Sequence, residues 1–318
     1  MLEATVKKIL QARVYEAACE TPITPAPFLS RRFNNQILIK REDLQPVFSF
    51  KIRGAYNKMA QLTQAQKDKG VIAASAGNHA QGLAMAAKLM GVKAVIVMPR
   101  ITPDIKVQAV RARGAKVILK GDAFAAAAEH AQELIKEHGY TYIPPFDDID
   151  VVAGQGTIGV EILRQHAGRL DAIFVPVGGG GLIAGVAAYV KYLRPDIKVI
   201  GVEAEDSACL KAALEAGERV ILDQVGVFAE GVAVAQIGEV PFSLIQGLID
   251  GVITVNTDEM CAAVKDIFED TRAVAETSGA LSLAGLKKYI QQTGAEGETL
   301  LCINSGANTN FDRLQHIA

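Results

Sequence analysis

From Gly70 onward the sequence alternates short β-rich runs with longer helical patterns, and this rhythm constrains the fold more than any other feature. Residues 71–74 precede a helical stretch to Met90, residues 94–98 a stretch over 103–113, and residues 117–119 a stretch over 122–138. Such alternation predicts βαβ units, and therefore a parallel sheet covered by helices on both faces. After the turn-like Pro144-Pro145-Phe146-Asp147-Asp148 the rhythm resumes, with strands expected at 172–177, 199–202, 252–255 and 299–303. A second lobe of the same kind follows. The apolar run 37–39 precedes the first lobe and is expected to join the second sheet, so that a small domain (residues 42–143) is inserted into a large one (residues 1–41 and 144–318).

At 318 residues the chain suits two α/β units sharing a cleft. Half of it is apolar and 21% is charged, which supplies two cores. Lys plus Arg (33) nearly balance Asp plus Glu (35), and no long run of one sign occurs, so nucleic acid is not an expected partner. No stretch approaches a membrane-spanning helix and no signal segment is read at the start, so a cytoplasmic location is expected. Cys19, Cys209, Cys261 and Cys302 lie far apart with no C-x-x-C pair, and are expected to be reduced and mostly buried. Glu203, Glu205 and Asp206 cluster after a strand, but their expected role is that of solvated surface acids, and no metal is assigned.

Four segments carry chemistry. In Ser49-Phe50-Lys51-Ile52-Arg53-Gly54-Ala55-Tyr56 a lysine sits between two large apolar residues. Partial desolvation lowers the pKa of an ammonium, as a Schiff-base or proton-transfer lysine requires, although most lysines so placed merely bury the stem and keep the head in water. Ser75-Ala76-Gly77-Asn78-His79-Ala80-Gln81-Gly82 follows a strand and opens a helix, where main-chain N–H groups collect anions; an ordinary Ser/Asn helix cap is the competing reading. Gly178-Gly179-Gly180-Gly181-Leu182 lies between an apolar strand and a helix, and four successive glycines suit close approach of bare main chain to a phosphate. Asn304-Ser305-Gly306-Ala307-Asn308 again follows a strand directly. The last three all fall at carboxyl ends of strands, where ligands of open α/β sheets bind.

Gly154-Gln155-Gly156-Thr157-Ile158-Gly159 matches the dinucleotide fingerprint, but the residues before it are too polar for the buried strand that fingerprint needs, and no acidic ribose ligand ends the next strand. A nicotinamide cofactor is therefore not expected.

Taken in this order, the four segments resemble the threonine/serine dehydratase family of pyridoxal-phosphate enzymes, with the tryptophan-synthase-β-like fold (fold type II) of two three-layer α/β/α lobes. The resemblance spans essentially the whole chain and includes Lys40–Glu42-Asp43, 176–182, 202–209, 230–234 and 277–281; the stretches 202–217 and 268–290 are similar to the catalytic domain of biosynthetic threonine deaminases in particular.

The resemblance implies pyridoxal 5'-phosphate as cofactor, joined to Lys51, with Phe50 beside the ring, Asn78 at the ring hydroxyl, Gly178, Gly179, Gly180, Gly181 and Leu182 at the phosphate and Ser305 at the pyridine nitrogen. Ser75, Gly77, Asn78 and His79 would surround the substrate carboxylate. The implied activity is dehydration and deamination of L-threonine, and of L-serine, to 2-oxobutanoate or pyruvate and ammonia, on the way to isoleucine. A homodimer or homotetramer is implied too. The alternatives are a serine racemase of the same fold and a non-catalytic pyridoxal-phosphate-binding protein. Racemases of this type carry a serine at the position of Ala76, and alanine cannot transfer a proton, which favours elimination. The biosynthetic relatives usually carry a C-terminal regulatory region, and with the sequence stopping at Ala318, feedback control by isoleucine is not expected.

Overall fold

The computed structural model describes residues 1–316. Among the described residues ten strands form two sheets. The larger contains β1 (Ile23–Pro25), β2 (Gln36–Arg41), β7 (Ala172–Pro176), β8 (Lys198–Ala204), β9 (Gly251–Val255) and β10 (Thr299–Asn304), in the order β1-β2-β10-β7-β8-β9. The smaller holds β3 (Val71–Ala74), β4 (Ala94–Met98), β5 (Lys116–Leu119) and β6 (Thr141–Tyr142), in the order β5-β4-β3-β6. All pairings are parallel except β1 with β2. This is a fold-type-II arrangement, with a small lobe inserted between β2 and β7 of a large one.

The strand expectations rest on uninterrupted apolar runs, and the reason appears in burial: every residue of β3, β4, β7 and β10 is buried, as strands covered on both faces must be. The run 37–39 does join the large sheet, paired with β10 in the register Ile37 to Leu300. Two edge strands escaped the sequence reading. β1 contains two residues and a proline, and β6 is only two residues long, so neither carries a period.

The fingerprint-like glycines lie inside the helix Ile149–Gln165, not at a strand-to-helix turn. They let helices touch. A Cβ on Gly154 would sit 2.7 Å from the Arg53 carbonyl and 2.7 Å from Gly54 Cα, and one on Gly156 would sit 3.0 Å from the Gly185 carbonyl and 2.5 Å from the Ile9 side chain. The helix Lys51–Ala60 and the helix Gly181–Leu193 therefore both pack backbone to backbone against Ile149–Gln165. Two site-bearing helices are thereby seated on one central helix.

Beside that contact lies a fully buried charge network. Arg53 donates to Glu42 at 2.8 Å and to Glu161 at 2.6 Å, and Lys40 donates to Glu161 at 2.6 Å, with all four side chains at 0% exposure. Thr21, Gln45 and Tyr15 donate to the same two carboxylates, so each buried charge has several partners.

Two expectations are corrected. Glu203 is not a solvated acid: it is buried and accepts the N–H groups of Leu210 and Lys211 at 2.7 and 2.9 Å, capping the helix Cys209–Ala216, while Glu205 and Asp206 are exposed. Of the cysteines, Cys209 and Cys302 are buried, Cys261 is half-buried and Cys19 is exposed. The thiols are free, but burial is not general. Among the described residues no helix is long and apolar enough to cross a membrane, and no group of three or more His, Cys, Asp or Glu could hold a metal ion.

Candidate active site

The parallel register of β2, β10 and β7 sets the carboxyl ends of these three neighbouring strands side by side. From those ends issue the segment leading to Lys51, the loop beginning at Ser305 and the glycine quartet. An isolated bridge between Ser49 and Gly306 and the Phe50 N–H donating to the Ser305 carbonyl at 3.2 Å fix the lysine segment against the last strand's loop. The Ser75–His79 segment arrives from the other sheet, at the carboxyl end of β3. Asn78 joins the lobes: its Nδ2 donates to Glu276 Oε1 and its Oδ1 accepts from Asn308 Nδ2, both at 2.6 Å.

Lys51 opens its helix with its stem largely buried and its ammonium under-paired. Nζ donates to the Pro145 carbonyl at 3.0 Å and lies 5.2 Å from the centre of the Phe50 ring. Burial pushes its pKa down from 10.5 to about 8, against an opposing pull from the Glu276 carboxyl. A lysine so placed gives up its proton near neutral pH, as a nucleophilic or basic amine must.

His79 is buried and its Nε2 lies 2.8 Å from the Ile143 carbonyl. A carbonyl only accepts, so Nε2 carries the hydrogen. Burial and then the nearby Lys51 charge push the imidazole down to about 3, and it stays neutral. Its ring is committed to Ile143, which leaves the main-chain N–H groups at the start of the helix Asn78–Met90 as the anion-collecting part of this segment. Gly77 has open space around it, and the Ser75 hydroxyl accepts the Gly77 N–H at 3.4 Å.

The quartet is bare main chain by necessity. A Cβ on Gly178 would meet Val232 Cα at 3.0 Å, one on Gly179 the Phe146 ring at 2.2 Å, and one on Gly181 the Phe146 backbone at 3.2 Å. Gly180 adopts φ +88°, a left-handed conformation, and caps the helix that begins at Gly181. Main-chain N–H groups at this helix start can hold a phosphate. Ser305 is buried, and its hydroxyl reaches only the Ser278 carbonyl at 3.4 Å. Beside Lys51 and Ser305, the Ser49 hydroxyl and both ends of the Asn304 amide are buried without a hydrogen-bond partner. Unspent polar groups, an unencumbered lysine and a glycine cradle fit a phosphorylated aldehyde cofactor.

The geometry also brings in residues that sequence reasoning missed. Pro145 supplies the Lys51 acceptor, Phe146 packs the quartet, and Glu276 and Asn308 hold Asn78. Glu276 occupies the N-cap position of the helix Thr277–Thr293, where an acid reads as an ordinary favourable charge at a helix start; yet its side chain makes no capping bond and turns to Asn78 instead.

A family model described as pyridoxal-phosphate dependent enzyme matches residues 14–306. The biosynthetic L-threonine dehydratase IlvA of Burkholderia multivorans is 57% identical over 316 residues, covering 98% of this chain and 62% of the relative. That of Escherichia coli K12 is 58% identical over 313 residues, covering 98% of this chain and 61% of the relative. The chain thus spans about three-fifths of the length of these relatives. Among solved structures, the processed form of threonine deaminase isoform 2 from Solanum lycopersicum superposes with a TM-score of 0.98 at 48% identity, over 100% of this chain and 92% of that one. Maize serine racemase superposes with a TM-score of 0.92 at 30% identity, over 98% and 95% of the two chains. With its sequence matched over most of its length and a site whose residues suit that cofactor, the chain belongs to the pyridoxal-phosphate-dependent enzyme family.

Proposed function

We propose that this chain removes water and then ammonia from L-threonine, giving 2-oxobutanoate, and acts on L-serine in the same way to give pyruvate, as the first step towards isoleucine. The observation that carries the reading is the under-paired Lys51 amine, with a pKa near 8, set among the glycine quartet, Ser305 and Asn78. Support for threonine comes from the names and the 57–58% identity of the dehydratase relatives.

Pyridoxal phosphate, carried on Lys51, would supply an electron sink for charge at the substrate Cα and an acidic phosphate near the leaving hydroxyl. Gly178 to Leu182 would hold that phosphate through their N–H groups, Phe50 would flank the ring and Asn78 would meet the ring oxygen. Ser305 would offer the pyridine nitrogen a neutral hydroxyl, which cannot keep that nitrogen protonated as a carboxylate would. A hydroxyl at this place would suit elimination of the β-hydroxyl better than transamination. Ser75, Gly77, Asn78 and His79 bind the substrate carboxylate, His79 through its main-chain N–H because its ring is held by Ile143. The Lys51 amine would take the Cα proton, a role it can fill only when neutral. Ala76 offers no second acid on the opposite face, which sets the reading apart from racemization.

Residues 42–143 act in this scheme as the smaller domain, carrying both Lys51 and the carboxylate-binding segment to the glycine quartet and Ser305 of the larger domain, residues 1–41 and 144–318. The working protein is proposed to be a cytoplasmic homodimer or homotetramer. The test is direct: purified protein should be yellow, lose that colour transiently on addition of L-threonine, and release a ketoacid and ammonia in equal amounts. Protein that takes up the cofactor yet converts L-threonine only to D-allothreonine, its Cα epimer, or to nothing, would end the proposal. Steady-state kinetics on threonine and serine then rank the two, which differ by one methyl and so by about 1–3 kcal/mol at most.

A further inference from the structure

We infer that Glu276 is a positioning residue of this site: through Asn78 it orients the amide that meets the cofactor ring, and its carboxylate is the counter-charge of the Lys51 amine. The inference rests on the reading of Lys51 and Asn78 given above.

The geometry begins with an amide that has both ends engaged. Asn308 Nδ2 donates to Asn78 Oδ1 at 2.6 Å and to the Val47 carbonyl at 2.8 Å, and Asn78 Nδ2 donates to Glu276 Oε1 at 2.6 Å. The amide cannot turn over without facing donor to donor at one end and acceptor to acceptor at the other, so Asn78 has only its second N–H to offer the ring oxygen. A donor suits an oxygen bearing negative charge. The carboxyl is itself held in place: the Glu276 N–H donates to the Gly306 carbonyl at 3.1 Å, and a Cβ on Gly306 would lie 2.4 Å from Glu276 Oε1. Glycine at 306 is what admits the carboxyl.

The charged and titratable groups facing Glu276 are few. Lys51 comes from the helix Lys51–Ala60, His79 follows Asn78, Lys106 comes from the helix Asp104–Arg111, and Glu230 lies in the turn Glu230–Val232. Lys106 pairs with Glu230, and Glu230 also takes Arg313 at 2.8 Å, so the outer charges are spent on one another. His79 stays neutral. The Glu276 pKa is raised overall: burial, the largest cause, and the Glu230 charge push it up, against the bonds from Asn78 and Ser278 and the Lys106 charge. The Glu276 carboxyl is also the one charge that pulls the Lys51 pKa upward. An opposite charge nearby favours the charged form, so its removal should let the amine lose its proton at lower pH.

The experiment uses the full chain, freed of cofactor and then given pyridoxal phosphate, with the return of the visible absorption band followed against pH. Only the neutral amine attacks the aldehyde. Glu276→Gln keeps an acceptor for Asn78 and removes the charge; its uptake profile should move to lower pH by about one unit, and the limb of kcat against pH should move with it. Glu276→Asp, which keeps the charge, should restore the wild-type midpoint. Glu276→Ala should shift the midpoint as Gln does and, in addition, weaken cofactor binding by about tenfold, the scale of one lost hydrogen bond to a charged or polarised partner. A Gln variant that folds and keeps the wild-type midpoint overturns the inference, as does an Asp variant that shifts like Gln. If neither neutral variant folds, Glu276 is a folding residue and the inference is equally overturned. Failure of the wild-type chain to take up pyridoxal phosphate would instead bring down the reading of Lys51 itself.

Discussion

Two lysines eleven positions apart in sequence, Lys40 buried and Lys51 half-buried, are treated in opposite ways. Lys40 donates to Glu161, to the Thr21 carbonyl and to Gln165, inside a network that also satisfies Arg53 twice over. Lys51 has one carbonyl and the edge of an aromatic environment. A buried charge with every proton committed is architecture, because each partner raises the cost of moving it. One that is left short of partners is poised to lose its proton or form a bond. Arg53, two residues after Lys51 on the same helix, makes the two regions neighbours: the satisfied network anchors the helix whose first residue is left reactive.

The comparison breaks most plainly at Lys51. Lys51→Ala should lower turnover by more than about 10⁴-fold, the scale expected when a nucleophile and base are lost together, while the thermal midpoint of the cofactor-free protein stays near that of wild type. Measurable deamination at a tenth of the wild-type rate would mean the amine is not the reactive group. Glu161→Ala should do the reverse, destabilising the protein by about 3–5 kcal/mol in denaturant unfolding by stranding Lys40 and Arg53. A loss under 1 kcal/mol would show that water or relaxation replaces the carboxylate readily.

A subtler effect concerns pH. The folded-state pKa of Lys51 is depressed from 10.5 to about 8, so between these values the unfolded chain holds a proton that the native one has released. Folding stability contributed at this position therefore rises as pH passes upward through that window, and below about 8 the penalty is present in full. Lys51→Met should stabilise cofactor-free protein by roughly 3 kcal/mol at pH 7, a gain that fades towards pH 10.5. A gain independent of pH would assign it to packing alone. The smallest effect is expected at the helix crossing that supports both regions: Gly154→Ala, whose methyl would press on the Arg53 carbonyl, should cost about 1–3 kcal/mol with kcat changed less than stability. Equal loss of cofactor affinity would mean the crossing also sets the reach of Lys51.

Much of the site was legible because its chemistry requires residue types that are costly elsewhere. Four successive glycines and a lysine between Phe50 and Ile52 stand out on local grounds, and strands buried on both faces announce themselves as apolar runs. Glu276 was not legible for the opposite reason: an acid before a helix has an ordinary explanation, and its partner Asn78 lies 198 residues away. The same holds for Glu203, whose place beside two acids suggested solvent but whose side chain caps a buried helix end.

The sequence by itself determined the alternation of strand and helix, the order of the four chemical segments and the amine most apt to react, since period, glycine content and apolar flanks are local properties. Only the tertiary structure decided that the Gly154–Gly159 run joins helices, that the His79 ring is spent on Ile143, and that Asn78 is held from both sides by Glu276 and Asn308. Those outcomes depend on which distant groups meet in a low-dielectric interior, where one hydrogen-bond partner more or less decides whether a side chain is structural or reactive.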